Sequence, residues 1–207
     1  MIRFTGNIPQ CMQQSRWTVP QILNDWSKYN MKMKELFDRG EFVVSAEVGP
    51  PKGIHVDELV EEAKTYLKGV HAVNVTDNQS SVMRLGSLAM CKVLKDAGMD
   101  PIFQLACRDR NRISMHSTLL GAHINGIRNL MIVTGDPVPS GERDNTKSVF
   151  DFNSIRFMEY VKELNQEIFL QDAFSYGGAL NQNQANEDQV MKRMQKKINA
   201  GLSWFMT

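Results

Sequence analysis

Two carboxylates and a few neutral polar side chains are the groups in this 207-residue chain whose types and spacing could do chemistry. Glu47 interrupts a run otherwise made of Val, Ala and Ser and directly precedes Val48-Gly49-Pro50-Pro51. A carboxyl group in such a place is expected to be partly desolvated and to hold a proton near neutral pH, which makes it a usable general acid. The structural alternative is a strand-end carboxylate that is solvated or paired with Arg108. Asp136 follows Val133-Thr134-Gly135 and precedes Pro137. Gly135 allows another group close to the backbone, and the Asp-Pro turn would aim a carboxylate across a mouth; an Asx-type turn cap would use the same residues. Thr76, Gln104 and Thr134 add neutral donors and acceptors at comparable positions, a set that suits a large uncharged heteroaromatic ring better than a polyphosphate. Arg108, Asp109 and Arg110 either hold an anion or pair among themselves.

Other candidates read as structural. His116 and His123 are seven residues apart on one predicted helix, with no acidic or Cys partner. Cys11, Cys91 and Cys107 form no CxxC pair and have no His at zinc-ligand spacing, so a reducing compartment and no metal are expected. The arginine after Cys107 could activate its thiol, but a small buried strand residue explains it as well. The 13 methionines fall mostly at helical core spacing. The patterns G-x-x-x-x-G-K-[ST], G-x-G-x-x-G, H-E-x-x-H and G-x-S-x-G are absent. With 24 Lys plus Arg against 23 Asp plus Glu, the chain lacks the basic surplus of a nucleic-acid binder. Neither a signal peptide nor a run near the roughly 18 apolar residues of a membrane span is visible, so a cytoplasmic location follows by default.

The elements that must position these groups alternate from Glu41 onward. Strands are predicted at 41–48, 72–76, 101–108, 129–134 and 173–180, with a sixth opening at Ser203. Helices are predicted at about 56–67, 81–96, 113–125, 154–164 and 187–199, three of them stopped by Gly98, Gly126 and Gly201. Strands joined through helices run parallel, which leaves a doubly wound sheet or a (β/α)8 barrel. Each strand turns polar on one face towards its C-terminal end: Ser45 and Glu47, then Asn74 and Thr76, then Gln104 and Arg108, then Thr134 and Asp136. That pattern favours the α/β (β/α)8 TIM barrel, with the site at its mouth. A whole barrel takes about 250 residues. Glu41 to Thr207 has room for about five and a half βα units, and edges left by an unclosed sheet would favour aggregation and weak cofactor binding. Upstream, Trp17, Val19, Ile22, Leu23, Trp26, Met33, Leu36 and Phe37 predict one amphipathic helix docked on the barrel's base or flank. The chain thus reads as an N-terminal extension, 1–40, and a partial barrel, 41–207.

Several strings together go further. F-V-V-S-A-E-V-G-P-P-K-G at 42–53, V-N-V-T-D-N at 73–78, A-C-R-D-R-N at 106–111, L-L-G-A-H-I-N-G-I-R-N-L-M-I-V-T-G-D-P at 119–137 and K-K-I-N-A-G at 196–201 occur in this order. They resemble methylenetetrahydrofolate reductase, most closely the bacterial form also found fused to a homocysteine methyltransferase domain, almost continuously from Met33 to Thr207. The resemblance implies a barrel that binds FAD, with FMN as the alternative, and takes electrons from NADH or NADPH. Its substrate would be 5,10-methylenetetrahydrofolate, reduced to 5-methyltetrahydrofolate in one-carbon and methionine metabolism. Glu47 matches the family's general acid, which protonates the folate as its five-membered ring opens. Asp136 matches the aspartate near both flavin and pterin. Thr76, Thr134 and Gly135 fall at flavin contacts, with Thr76 also near folate, and Lys197 falls on a lysine that helps hold the dinucleotide. Asp151 and Leu180 are further cofactor placements.

Gln104 stands where many relatives have His; it can donate to a flavin carbonyl but carries no charge. Asn181-Gln182 replaces a more usual Asn-Pro, and the family pattern continues past the threonine matching Thr207 with a folate-contacting glutamine. Self-association into a homo-oligomer is compatible with the sequence. The competing readings are a non-catalytic flavin- or pterin-binding barrel fragment and a pterin-binding methyltransferase barrel. Glu47 with the Thr-Gly-Asp run favours the reductase over the latter.

Overall fold

Each apolar run of the repeat pairs with the next one along the chain. The computed structural model describes residues 32–142, 145–170 and 173–207. Its strands are β1 (Ser45–Val48), β2 (Ala72–Val75), β3 (Pro101–Ala106), β4 (Asn129–Val133), β5 (Ser175–Ala179) and β6 (Trp204–Met206). Helix α1 (Met33–Asp38) precedes them, and α2 (Asp57–Tyr66), α3 (Ser87–Asp96), α4 (Arg112–Ile124), α5 (Ser154–Glu167) and α6 (Glu187–Asn199) alternate with them. Every pairing is parallel, and the sheet order is β1-β2-β3-β4-β5-β6. A doubly wound sheet would break that order at a switch point. Strictly sequential parallel strands are the arrangement of a (β/α)8 barrel, and the described residues form a curled, incomplete one of six strands.

Period-two alternation along the strands divides the interior into two layers. Outward residues Val73, Val75, Phe103, Leu105, Leu130, Ile132 and Tyr176 meet the apolar faces of the helices, including Leu94, Leu119, Phe157 and Val161. Inward residues Ala72, Ile102, Met131 and Trp204 form a separate cluster with Met33 of α1. Burying one such Leu, Phe or Met contributes about 1.5–3 kcal/mol, so the outer layer supplies most of the driving force for folding.

The base of the curl is closed by α1. The Met33 amide donates to Asn129 Oδ1 at 2.8 Å and the Lys34 amide to Ser175 Oγ at 3.3 Å, which seats the helix on the starts of β4 and β5. Met33 and Leu36 are buried there. Of the amphipathic helix expected over 17–38, Trp17, Val19, Ile22, Leu23 and Trp26 lie outside the described residues.

The largest departures from the expected boundaries are at the starts of β1 and α3. Pairing in β1 starts at Ser45, opposite Ala72, rather than at Glu41; before it Val44 is held by His71, whose amide donates to Val44 O at 2.7 Å, and Phe42 is left 73% exposed. Helix α3 starts at Ser87 rather than at Ser81. Asn78, Ser80 and Ser81 adopt positive φ, and Gln79–Ser81 form a 3-10 turn. Residues of this kind bond to the local backbone and favour turns over helix interiors.

Candidate functional site

The inner face of the first three strands carries a row of polar side chains. Glu47 of β1 and Asn74 of β2 are Cα partners across the sheet. Asn74 Nδ2 donates to Glu47 Oε2 at 3.0 Å and to Gln104 Oε1 of β3 at 3.4 Å. Asn74 and Thr76 are 2% and 3% exposed, and neither Asn74 Oδ1 nor Thr76 Oγ1 has a hydrogen-bond partner. Glu47 itself is exposed. The expected desolvation is therefore not found: β1 is an edge of the described sheet, with β2 as its one neighbouring strand. The alternative pairing of Glu47 with Arg108 is not made either, since that guanidinium is engaged elsewhere.

A groove of about 580 Å³ opens between the C-terminal ends of β4 and β5, bounded by the amino end of α5 and one face of α6. Thr134, Gly135, Asp136, Leu180 and Lys197 all line it, with Arg193 beside them. Thr134 Oγ1 accepts from the Ser154 amide at 3.0 Å and so fixes the start of α5. Asn153 caps the same helix by accepting from the Ile155 and Arg156 amides. Lys197 Nζ donates to Ala179 O at 2.5 Å. Burial lowers the Lys197 pKa, and the nearby Arg193 lowers it further.

Arg108 joins the two halves of the mouth. The guanidinium, 2% exposed, donates to Asp109 through Nε at 2.6 Å, to Asn78 O at 3.0 Å and to Asp136 O at 3.3 Å. The hydrogen bond to Asp109 raises its pKa against the opposing effect of burial. Arg110 pairs with Asp77, which also accepts from Ser87 Oγ and the Ala106 amide. Pairing among themselves, one of the two readings of this arginine cluster, is observed for Arg108 with Asp109, whereas Arg110 goes outside the run to Asp77. Asp151 lies apart: its Oδ2 accepts from the Arg112 amide at 2.9 Å at the start of α4, outside the groove lining.

A family model described as methylenetetrahydrofolate reductase matches residues 32–207. The chain belongs to the methylenetetrahydrofolate reductase family. A search of curated proteins finds no match to it. Membership makes the chain one of a family of oxidoreductases of folate metabolism.

The residues present fit a flavin of the kind this reductase family binds. The groove has the size of a small-molecule site, roughly 300–1,000 Å³. Its Lys197 and Arg193 supply positive charge for a phosphate, and the unpartnered Thr76 Oγ1 is a buried polar atom of the kind a ring edge would satisfy. Asn74 stood among the strand residues but not among the candidates; an amide inside Ala-Val-Asn-Val was the available signal. His116 hydrogen-bonds Tyr160 at 2.5 Å, and His123 stacks on Phe169. Burial pushes the Cys107 thiol up to about 12 and the Cys91 thiol well above its usual value. No group of three or more His, Cys, Asp or Glu among the described residues could hold a metal ion, and none of the described helices is long and apolar enough to cross a membrane.

Proposed function

We propose that the chain is a flavin-dependent reductase that converts 5,10-methylenetetrahydrofolate to 5-methyltetrahydrofolate with NADH or NADPH. The observation that carries this reading is the placement, in a member of this family, of Glu47 and Gln104 in one hydrogen-bonded row beside a groove lined by Thr134, Gly135, Asp136, Leu180 and Lys197. When bound, FAD, or FMN in its place, supplies the hydride transfer between nicotinamide and folate. Lys197 and Arg193 hold the anionic part of the cofactor, and Thr76, Gln104 and Gly135 border its ring. Glu47, open to the mouth, delivers a proton to the folate as the five-membered ring opens. Asp136 orients the pterin from the opposite side. Asp151 serves this arrangement by fixing the start of α4.

A visible spectrum of the purified chain tests the reading. Bound flavin should be bleached by NADH or NADPH and restored by methylenetetrahydrofolate. Glu47→Gln should keep the bleaching and lose at least about a hundredfold in the folate step, the lower range for a positioned general acid. A folded, colourless chain that takes up no FAD overturns the proposal. The exposure of Glu47 favours one other reading, a flavin- or pterin-binding barrel without turnover; bleaching that folate never reverses is its signature.

A further inference from the structure

We propose that Asn74 is a positioning residue that couples the protonation of Glu47 to the group that Gln104 turns towards the mouth. Its chemical use rests on the reductase reading; its geometry does not. Asn74 sits in the middle of the row and spends both protons of its NH2 group on oxygens, Glu47 Oε2 at 3.0 Å and Gln104 Oε1 at 3.4 Å. An ionised carboxylate only accepts, so with Glu47 ionised the row has one sense. Asn74 donates in both directions, and the half-buried Gln104, its carbonyl engaged, keeps its NH2 group for the mouth. This sense has a cost: Asn74 Oδ1 is buried without a partner, an unmade bond worth about 1–3 kcal/mol.

Protonation reverses the row. A proton taken from water turns Glu47 into a donor that needs an acceptor where Asn74 presents N–H. A half-turn of the Asn74 amide brings Oδ1 there, and its two lone pairs accept from the Glu47 O–H and from Gln104 Nε2. Gln104 then turns as well and shows its carbonyl to the mouth. Both senses use the same heavy-atom positions; the buried, unpartnered group of Asn74 is its carbonyl oxygen in the first and its NH2 group in the second. Gln104 would thus offer a donor while Glu47 is ionised and an acceptor while Glu47 holds the proton it delivers.

The ionisable groups on the elements bordering Glu47 are Lys52 and His55 after β1, Asp77 after β2, Arg108 and Asp109 after β3, and Asp136 after β4. Asp77 is engaged by Arg110 and Arg108 by Asp109. Among the described residues, the hydrogen bond from Asn74 is the one that reaches the Glu47 carboxylate.

Side-chain NMR of the full chain without cofactor tests this. The Asn74 and Gln104 NH2 signals should move with the Glu47 carboxyl carbon and share its midpoint across a pH titration. Glu47→Gln should abolish the movement of both amides. Asn74→Leu should leave Glu47 titrating but remove the Gln104 response; Asn74→Thr, whose shorter side chain cannot span the row, repeats the test if the leucine variant does not fold. A Gln104 signal that still follows Glu47 without Asn74, or amides unmoved by pH in the native chain, overturns the proposal. A shared midpoint in a chain that takes up no flavin supports this coupling and overturns the reductase reading alone.

Discussion

Gly135 and Arg108 are fitted to one another: a Cβ added to Gly135 would stand 3.0 Å from Arg108 Cβ and 3.5 Å from Ala106 Cβ, on a backbone with φ of +86°. The glycine brings the end of β4 against the buried arginine, whose guanidinium then reaches the carbonyl of Asp136. Gly135→Ala is therefore expected to destabilise the chain by about 1–3 kcal/mol, the range for a strained backbone position. A lowered urea midpoint at unchanged slope would report it; an unchanged midpoint would show that the turn relaxes freely.

Arg110 neutralises a carboxylate that is fully buried. Asp77 takes both guanidinium nitrogens, at 2.5 and 3.1 Å, together with Ser87 Oγ and the Ala106 amide. Arg110→Met leaves that charge buried and should cost about 3–5 kcal/mol, whereas removing both charges with Asp77→Asn and Arg110→Met should cost less. Denaturant unfolding of the single and double variants decides between them. A double variant less stable than Arg110→Met would contradict the electrostatic account.

Asp100 sets a pH dependence of stability. Burial pushes its carboxyl up to about 6, although Lys95 lies 3.6 Å away and pulls in the opposite direction. An acid whose folded value is raised holds its proton more tightly in the native state. Its contribution is thus fully present below the unfolded value and is lost as pH rises through about 6. Between pH 4 and pH 7 the native chain should lose roughly 2–3 kcal/mol through this group. Asp100→Asn should flatten that part of the curve; parallel curves for the two proteins would exclude the assignment.

Gly177 makes room for Trp204. A Cβ on this β5 residue would fall inside the indole of Trp204 on the neighbouring strand. The ring is 5% exposed and packs with Met33, Ala72, Ile102 and Met131 at the bottom of the curl. Gly177→Ala should cost at least about 1–3 kcal/mol from overpacking, and Trp204→Ala about 3–5 kcal/mol from the cavity it leaves. Thermal unfolding of the two variants measures both, and a neutral Gly177→Ala would show that the indole has a second place to go.

The sequence by itself determined the repeat. Hydrophobic period, glycine stops and the polar ends of successive strands are local properties, and they were enough to read parallel strands, a barrel and a mouth that carries Glu47, Thr76, Gln104 and Asp136. The motif order carried the family. What tertiary structure decided was partnership. Nothing in Ala-Val-Asn-Val says that Asn74 gives one proton to Glu47 and the other to Gln104, because those contacts cross 27 and 30 residues of chain. Nor does the run Arg108-Asp109-Arg110 say that its two arginines part, one to Asp109 and the carbonyl of Asp136, the other to Asp77. The exposure of Glu47 was likewise beyond local reading. Desolvation depends on what covers a side chain from other strands, and on β1 only one neighbouring strand does so.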